Sequence, residues 1–360
     1  MIEPSQLFLD STFSKKSERK GSLCEEWLDA LYYQKFFKLF VPEVYGGLGM
    51  ELIPALKIEE ELAFIDGSLG WTTTLCAGAG WFVGFMGDQL REEVFQDPKV
   101  CLAGSGFVGG KANKIENYYH IHGSWTHASG ALHATHFTAN CEMLENGIPV
   151  LDSSGKAVVK AFILAASEIE ILDSWKYMGM IATGSHAFKV ENLNIPINRC
   201  FEISPEKAKL DDPIYQFPFL QFAEVTLAVN ILGITRHFQE LIKESFDVRK
   251  QHGTFREDQL DYFDQVFSAE NNRIKLLKME FYEVVQSAWN ELVNHGELFD
   301  EKLKNVSQVS RRLVQTCRES NAKLFPFGGL HAAKTDTELN RVWRDFNTVS
   351  QHSLLTFPFS

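Results

Sequence analysis

The sequence predicts a mainly α-helical protein with a central β-domain. Three observations lead to this fold class. The first 98 residues carry apolar side chains at helical spacing, the next hundred carry short apolar and β-branched runs separated by Gly, Asn and Pro, and helical spacing returns after Pro213. We therefore expect an N-terminal helical domain at 1–98, a middle β-domain at 99–205 and a C-terminal four-helix bundle at 206–360.

The N-terminal segment contains two well-defined predicted helices. Within 51–65 apolar residues such as Leu52, Leu56 and Leu62 recur near a 3.6-residue period, and Pro54 falls in the first turn, where its missing N–H costs nothing. Residues 68–85 are small or apolar on every face, which is typical of a helix buried at an interface.

The middle segment changes period. Ile115, Tyr119 and Ile121 alternate with polar neighbours, and this strand is expected to end at His122 and Gly123. A continuous apolar run at 157–166 and a further alternation at 188–195 predict more strands. Short strands with turn residues between them indicate an antiparallel β-domain.

The C-terminal segment predicts four long antiparallel helices. Their approximate positions are 222–250, 277–292, 303–317 and 337–355. This order of elements does not fit a doubly wound nucleotide-binding fold, which needs alternating strands and helices. The sequence also contains neither a GxGxxG after a strand nor a GxxxxGK[ST] loop, so dinucleotide and P-loop sites lose their main support.

Composition excludes several classes of partner. The 360 residues include 35 Lys and Arg against 47 Asp and Glu, a formal net charge of −12. Nucleic acids and anionic membranes attract basic proteins, so neither is an expected partner. No signal peptide and no membrane-spanning apolar window are seen. The six cysteines have no CxxC spacing, which indicates a cytoplasmic chain with free thiols.

Five histidines fall close together in the middle segment: His120, His122, His127, His133 and His136. No Asp, Glu or Cys lies between Tyr118 and Ala139 to complete a tetrahedral set of ligands with these histidines. We therefore expect no metal site in this stretch, and interpret it as polar strand ends and a ligand-facing loop.

Two stretches of the middle segment are candidates for a ligand site. In 121–130 Trp125 precedes the small hydroxyl residue Ser129, which fits either a hairpin with a packed Trp or an aromatic or imidazole ring over a planar cofactor. In 176–188 two glycines and the hydroxyls of Thr183 and Ser185 precede a strand, where the backbone could approach a ligand closely. A plain loop is an equally good interpretation of 176–188.

A third candidate stretch lies near the C-terminus. The pair Gly328 and Gly329 at a helix break forms a turn suited to phosphate. Arg341, Arg344 and Asp345 follow, and such residues more often form an ion pair than a catalytic group.

The order of these segments resembles the acyl-CoA dehydrogenase superfamily over nearly the whole chain. The resemblance is carried by Val41-Pro-Glu-Val-Tyr-Gly-Gly-Leu-Gly49, Gly67-Ser-Leu-Gly-Trp71, 123–130, Met178-Gly-Met-Ile-Ala-Thr-Gly-Ser185, Gly328-Gly329 and Arg341-Val-Trp-Arg-Asp345. It implies an N-terminal helical domain, a β-barrel-like middle domain and a C-terminal four-helix bundle. It also implies FAD or FMN bound between the β-domain and the bundle, in a homotetramer.

One branch of this superfamily removes the α-proton of an acyl-CoA with a carboxylate while hydride passes to the flavin. The usual base is a Glu followed by Gly-Thr, eight residues beyond the Arg-Asp pair. Ser353 occupies that position here, next to His352, and no Glu-Gly-Thr occurs. Glu240 or Glu244 on the first bundle helix could take the role, without a supporting motif. The Arg-x-x-Phe-Gly that reaches a neighbouring subunit's flavin is missing around 249–253.

The other branch contains the two-component monooxygenases, which receive reduced flavin from a separate reductase and oxidise a phenol or a sulfur centre. On this resemblance Ser129 lies near flavin N5, His127 lies against the ring, and His352 is the base or peroxide partner. Trp125, Thr183, Ser185, Gly328 and Gly329 complete the expected cofactor contacts.

A departure from that branch lies in the expected substrate pocket. Trp81 matches the pattern, whereas Ala79 occupies a position where these monooxygenases commonly have a His. The expected function is therefore a reduced-flavin-dependent monooxygenase for an aromatic or planar small molecule, since 29 Phe and an acidic surface suit a dry pocket better than a CoA ester site. An acyl-CoA dehydrogenase and a non-catalytic flavin-binding protein stay open as alternatives.

Overall fold

The computed structural model describes residues 8–253 and 255–357. Its N-terminal part contains α1 (Ser11–Lys20), α2 (Glu25–Tyr33), α3 (Leu52–Ile65), α4 (Gly67–Gly80) and α5 (Asp88–Phe95). Asp66 separates α3 from α4 and caps α4, since its carboxylate accepts a hydrogen bond from the Leu69 N–H at 3.0 Å. The helix predicted at 51–65 is confirmed as α3.

The middle part is one eight-stranded sheet. Its strands are β1 (Leu102–Ile115), β2 (Tyr118–Ala128), β3 (His136–Glu145), β4 (Ile148–Pro149), β5 (Val159–Ala165), β6 (Glu170–Leu172), β7 (His186–Pro196) and β8 (Cys200–Phe201). They are arranged in the order β6-β7-β2-β1-β3-β5-β8, and β4 pairs with β3.

Two expectations for this sheet are wrong. The sheet is not purely antiparallel, because β1 and β3 run parallel. The described strands also form an open sheet rather than a closed barrel, because the edge strands β6 and β8 are only three and two residues long and pair with one neighbour each.

The strand expected to end at His122 and Gly123 continues to Ala128. A Cβ on Gly123 would lie 2.5 Å from the Cα of Gly110 and 2.9 Å from the Trp125 ring. This glycine therefore lets two strands approach each other beneath an indole, and it does not mark a turn.

The C-terminal part contains α6 (Phe219–Gln251), α7 (Glu257–His295), α8 (Asp300–Leu324), α9 (Gly329–Ala333) and α10 (Glu338–Val349). The fourth predicted helix is shorter than expected, because the chain leaves α10 at Val349 and forms a separate turn at Ser353–Leu355. This break places His352 between two elements.

The N-terminal and C-terminal helices share one hydrophobic core, while the sheet encloses a second. Helix α3 lies directly on α6, where a Cβ on Gly233 would approach the Glu60 carbonyl oxygen to 2.3 Å. Within the described ranges, no helix combines the length and apolarity needed to cross a bilayer.

Candidate active site

Three buried hydroxyls form a chain at the end of β2. Ser129 Oγ lies 2.8 Å from Ser185 Oγ, and Ser185 Oγ lies 2.6 Å from Thr183 Oγ1. Thr183 in turn donates to the carbonyl oxygen of Met180 at 2.8 Å. The structure thus brings together three residues that the sequence placed in two separate stretches.

The direction of these hydrogen bonds follows from counting hydrogens. A carbonyl oxygen only accepts, so Thr183 uses its hydrogen on Met180. Ser185 must then donate to Thr183, and Ser129 must donate to Ser185, if all three bonds are made. The hydrogen of the Ser129 hydroxyl is then used on Ser185, so Ser129 Oγ offers a ligand its lone pairs as an acceptor and has no free hydrogen to donate.

His127 leaves the strand next to this chain. Its φ of +64° is in the left-handed region, and the pairing of β2 with β7 is irregular between Trp125 and Ala128. The exposed imidazole contacts the Tyr177 hydroxyl at 3.1 Å, and its ring lies 6.0 Å from that of Trp175. The irregular strand end therefore presents an aromatic surface. His127 was a predicted site residue, whereas Tyr177 was not, because no motif pointed to it.

Helix α10 fixes the loop that carries Thr183 and Ser185. Asp345 Oδ1 accepts a hydrogen bond from the Met180 N–H at 2.5 Å. Arg344 donates to the Met178 carbonyl at 2.7 Å and pairs with Glu18 at 2.6 Å. Asp345 and Arg344 therefore hold the backbone of this loop in place, and Arg344 also forms an ion pair with Glu18 of α1.

Ala79 and His352 line one cavity, of about 200 Å³, between α4, the sheet and the start of α6. Phe82, Phe219, Phe222, Leu75, Leu227 and Leu354 form most of its apolar wall, and Thr74, Ser105, Thr138, Asn140 and Thr226 add polar groups. None of the described residues that line it is an Asp or a Glu. These polar lining residues had no signal in the sequence, because four different elements contribute them.

His352 is neutral at physiological pH. Burial lowers the pKa of its imidazole to about 4, and the nearby charge of His127 acts in the same direction. Its ring meets Trp71 edge-on at 5.9 Å, and Nδ1 is buried without a hydrogen-bond partner among the described residues. A neutral imidazole with a free ring nitrogen can accept or share a substrate proton.

Two predicted aromatic contacts lie elsewhere. Trp125 is fully buried in the sheet, stacked on Phe188 at 5.1 Å, and its indole N–H donates to the Asn140 carbonyl at 2.8 Å. It therefore supports the sheet and has no free face for a cofactor. Trp81 is also buried, stacked on Phe222 at 4.7 Å, so it lies behind the cavity wall.

The pair Gly328 and Gly329 lies at the far end of α6, away from the residues that line the cavity. Gly329 has a φ of +60°, and a Cβ there would meet the Arg249 guanidinium at 2.6 Å. Arg249 donates to the Phe327 carbonyl and has no carboxylate partner within the described ranges. Sequence analysis considered the segment 249–253 and did not include Arg249 among the site residues, because the Arg-x-x-Phe-Gly motif is absent there.

The carboxylates considered as an alternative base do not face the cavity. Glu240 and Glu244 are exposed and line a surface groove with Lys243.

The histidines that lie close together in the sequence have separate partners in the structure. His120 contacts Asn194 at 2.8 Å, and His136 contacts Thr135 at 3.0 Å.

Comparison with known proteins identifies similar chains. Residues 225–357 match the family described as the C-terminal domain of acyl-CoA dehydrogenase. Indole-3-acetate monooxygenase of Acinetobacter baumannii is 22% identical over 325 residues, which cover 89% of this chain and 80% of that protein. The oxygenase subunit HsaA of a Mycobacterium tuberculosis flavin-dependent monooxygenase is 25% identical over 371 residues, covering 94% and 87%.

Solved structures share the fold. The 3-HSA hydroxylase from Rhodococcus superposes with a TM-score of 0.87 at 22% identity and covers 98% of this chain and 90% of its own. XiaF from Streptomyces, solved with FADH2 and glycerol, has a TM-score of 0.85 at 21% identity, with 97% and 88% covered. TdsC from Paenibacillus, solved with FMN and indole, has a TM-score of 0.78 at 16% identity, with 98% and 93% covered. The prediction of a mainly helical fold with a central sheet is confirmed.

Proposed function

We propose that this chain is a reduced-flavin-dependent monooxygenase acting on an aromatic or other planar small molecule, because its residues 225–357 match the C-terminal domain of acyl-CoA dehydrogenase and most of the chain is similar to flavin-dependent oxygenase components. The observation that carries the proposal is the cavity that holds His352. It is apolar, it lacks a carboxylate among its described lining residues, and it contains a neutral imidazole.

The same cavity argues against acyl-CoA dehydrogenation. Removal of an α-proton from a thioester needs a carboxylate or a comparable base with open access to that carbon. Glu240 and Glu244 are exposed on another surface. A phenol or an indole, by contrast, offers an O–H or N–H whose hydrogen bond a neutral imidazole can accept, and a flat apolar ring that Phe82, Phe219 and Phe222 can enclose.

The hydroxyl chain supports binding of the reduced cofactor. A reduced flavin carries a hydrogen on N5, whereas N5 of an oxidised flavin is an acceptor. Ser129 can only accept, so it complements the reduced form. The bound reduced flavin would supply the electrons that activate molecular oxygen, while the apolar walls exclude water and the neutral His352 accepts a hydrogen bond from the substrate.

A separate flavin reductase and a homotetramer complete the proposal. Four of the similar proteins are named as an oxygenase subunit or component, which supports a reductase partner for this chain. Arg249 and the turn at Gly328–Gly329 form a cationic, phosphate-compatible surface distant from Ser129. We propose that this surface holds the phosphate end of FAD or FMN from a neighbouring subunit.

The six cysteines are free thiols, which suits a cytoplasmic location for this protein.

Anaerobic titration tests the proposal. We expect reduced FAD or FMN to bind about three- to tenfold more tightly than the oxidised form, the contribution of one hydrogen bond accepted by Ser129. Tight binding of oxidised FAD, followed by its bleaching on addition of an acyl-CoA without a reductase, would establish the dehydrogenase instead. Failure of every flavin to bind or to shift the melting temperature would favour a non-catalytic protein.

A further inference from the structure

Two thiols and one imidazole converge beside the hydroxyl chain and outside the cavity. Cys76 lies on α4, Cys101 immediately precedes β1, and His133 lies in the turn between β2 and β3. One ligand atom from each lies within 4.8 Å of the other two. Within the part of the chain that the structure describes, no other group of three or more His, Cys, Asp and Glu side chains has this geometry.

The ring nitrogen of His133 lies beside the thiols of Cys76 and Cys101. His133 Nε2 is buried and has no hydrogen-bond partner among the described residues. The ring stacks on Phe37 at 5.4 Å, and the backbone N–H of His133 donates to the Gly130 carbonyl at 3.0 Å. A buried ring nitrogen without a partner costs free energy, so a further ligand at this nitrogen would stabilise the fold.

The backbone leaves room for these groups to approach one another. Gly130 has a φ of +80°, and a Cβ there would lie 2.7 Å from Cys76 Sγ and 3.2 Å from the His133 ring. Both cysteines are almost completely buried. The turn is therefore shaped so that only glycine allows the sulfur and the imidazole to meet.

We propose that Cys76, Cys101 and His133 bind one thiophilic closed-shell cation, Cu⁺ or Zn²⁺. Two thiolate sulfurs and one imidazole nitrogen are the donors that these ions prefer, whereas Mg²⁺ and Ca²⁺ require oxygen. Binding releases the two thiol protons, and the two thiolate charges neutralise Zn²⁺ or leave one negative charge on a Cu⁺ site. A set of three ligands suits Cu⁺, while Zn²⁺ needs a fourth, for which the Tyr32 hydroxyl, 3.4 Å from the His133 carbonyl oxygen, is nearby.

The cation would join three elements at the base of the proposed flavin site. Cys76 Sγ lies 3.7 Å from the Ser129 carbonyl oxygen, so the ion would fix the turn from which Ser129 projects. Its role is structural support of this turn. The proposal does not depend on the monooxygenase function, because its ligands neither line the cavity nor belong to the hydroxyl chain.

Metal binding by the purified full chain tests the proposal. Zn²⁺, Cu⁺ under reducing anaerobic conditions, and Co²⁺ as a spectroscopic probe are added in separate titrations. We expect one equivalent of Zn²⁺ or Cu⁺, a higher melting temperature, and a thiolate-to-cobalt charge-transfer band. The double variant Cys76→Ser/Cys101→Ser should bind at least 100-fold more weakly, and His133→Asn should also lose affinity. Cys141→Ser, which removes a buried thiol from the sheet core, is the matched control and should bind as the wild type does.

X-ray absorption of the metal-loaded wild-type chain keeps the test valid if the cysteine variants fail to fold. Two sulfur neighbours and one imidazole nitrogen are expected around the ion. Less than a tenth of an equivalent bound, equal loss of binding in Cys141→Ser, or an oxygen-only coordination shell would each overturn the proposal. A disulfide between Cys76 and Cys101, detected as the loss of two thiols and 2 Da in freshly purified chain, would overturn it as well.

Discussion

Asp345 Oδ1 accepts a hydrogen bond from the backbone N–H of Met180 at 2.5 Å, although the two residues lie 165 positions apart. This bond links α10 to the loop that carries Thr183 and Ser185. Met180 has a φ of +56°, so the loop takes a left-handed turn at the residue that Asp345 holds. The segment Arg341–Asp345 thus positions the loop of the proposed flavin site and does not contribute a catalytic group.

The first prediction concerns this bond. Asp345→Ala should lower the free energy of unfolding by about 1–3 kcal/mol, because it leaves a buried N–H without an acceptor. Asp345→Asn keeps an oxygen acceptor for the Met180 N–H, so its free energy of unfolding should fall by less than that of Asp345→Ala. Chemical denaturation measures both variants, with Asp336→Ala, an exposed carboxylate before the same helix, as a control expected within about 0.5 kcal/mol of the wild type. Equal losses in the Ala and Asn variants would contradict the hydrogen-bond account.

The second prediction concerns the hydroxyl chain. Ser129→Ala should weaken reduced-flavin binding about three- to tenfold, the loss of one hydrogen bond, and should change oxidised-flavin binding much less. Ser124→Ala, an exposed serine on the same strand, is the control. Anaerobic fluorescence titration measures the dissociation constants of reduced and oxidised flavin for the wild type and both variants. A Ser129→Ala variant that loses oxidised flavin more than reduced flavin would reverse the deduced direction of the hydrogen bonds.

The third prediction concerns the pH dependence of the substrate-dependent rate. Burial lowers the pKa of His352 to about 4. The acidic limb of the pH–rate profile should therefore appear near pH 4 and not near the ordinary histidine pKa of 6.5. His352→Gln should lower this rate about 10²- to 10⁴-fold with little change in folding. Single-turnover kinetics across pH measures both effects. A limb near pH 6.5, or a variant with the full rate, would remove His352 from the mechanism.

The lowered pKa of His352 also affects stability. The unfolded chain takes up this proton near pH 6.5, whereas the folded protein takes it up only near pH 4. The contribution of His352 to the free energy of unfolding therefore falls as the pH decreases between these values. His352→Gln should reduce the acid dependence in this window, and an unchanged slope would contradict the assigned burial effect.

The fourth prediction concerns the size of the cavity. Ala79→Leu adds three carbons to a cavity of about 200 Å³ and should raise the KM for an aromatic substrate about tenfold or more. Reduced-flavin affinity should change less than about twofold, since Ala79 is not part of the hydroxyl chain. Ala333→Leu, on the exposed side of α9, is the control. An unchanged KM in Ala79→Leu would place the substrate elsewhere.

The sequence predicted the elements better than their contacts. The 3.6-residue pattern located α3 and most of the bundle, because burial on one face leaves a periodic trace. It placed Ser129, Thr183 and Ser185 among the site residues from a resemblance, and the structure joins their hydroxyls. It could not show that Trp125 faces the sheet core, since alternation does not reveal which face of a strand a ligand would use. Cys76, Cys101 and His133 had no detectable spacing, because three separate elements bring them together.

Incorporation of labelled oxygen tests the central claim most directly. The reduced flavin–protein complex is mixed with ¹⁸O₂ and an aromatic substrate such as a phenol or an indole, and the product is analysed by mass spectrometry. A monooxygenase with this cavity should place one ¹⁸O atom in the product, and His352→Gln should lose that product. No incorporation from any aromatic substrate, together with desaturation of an acyl-CoA by bound oxidised FAD, would contradict the account.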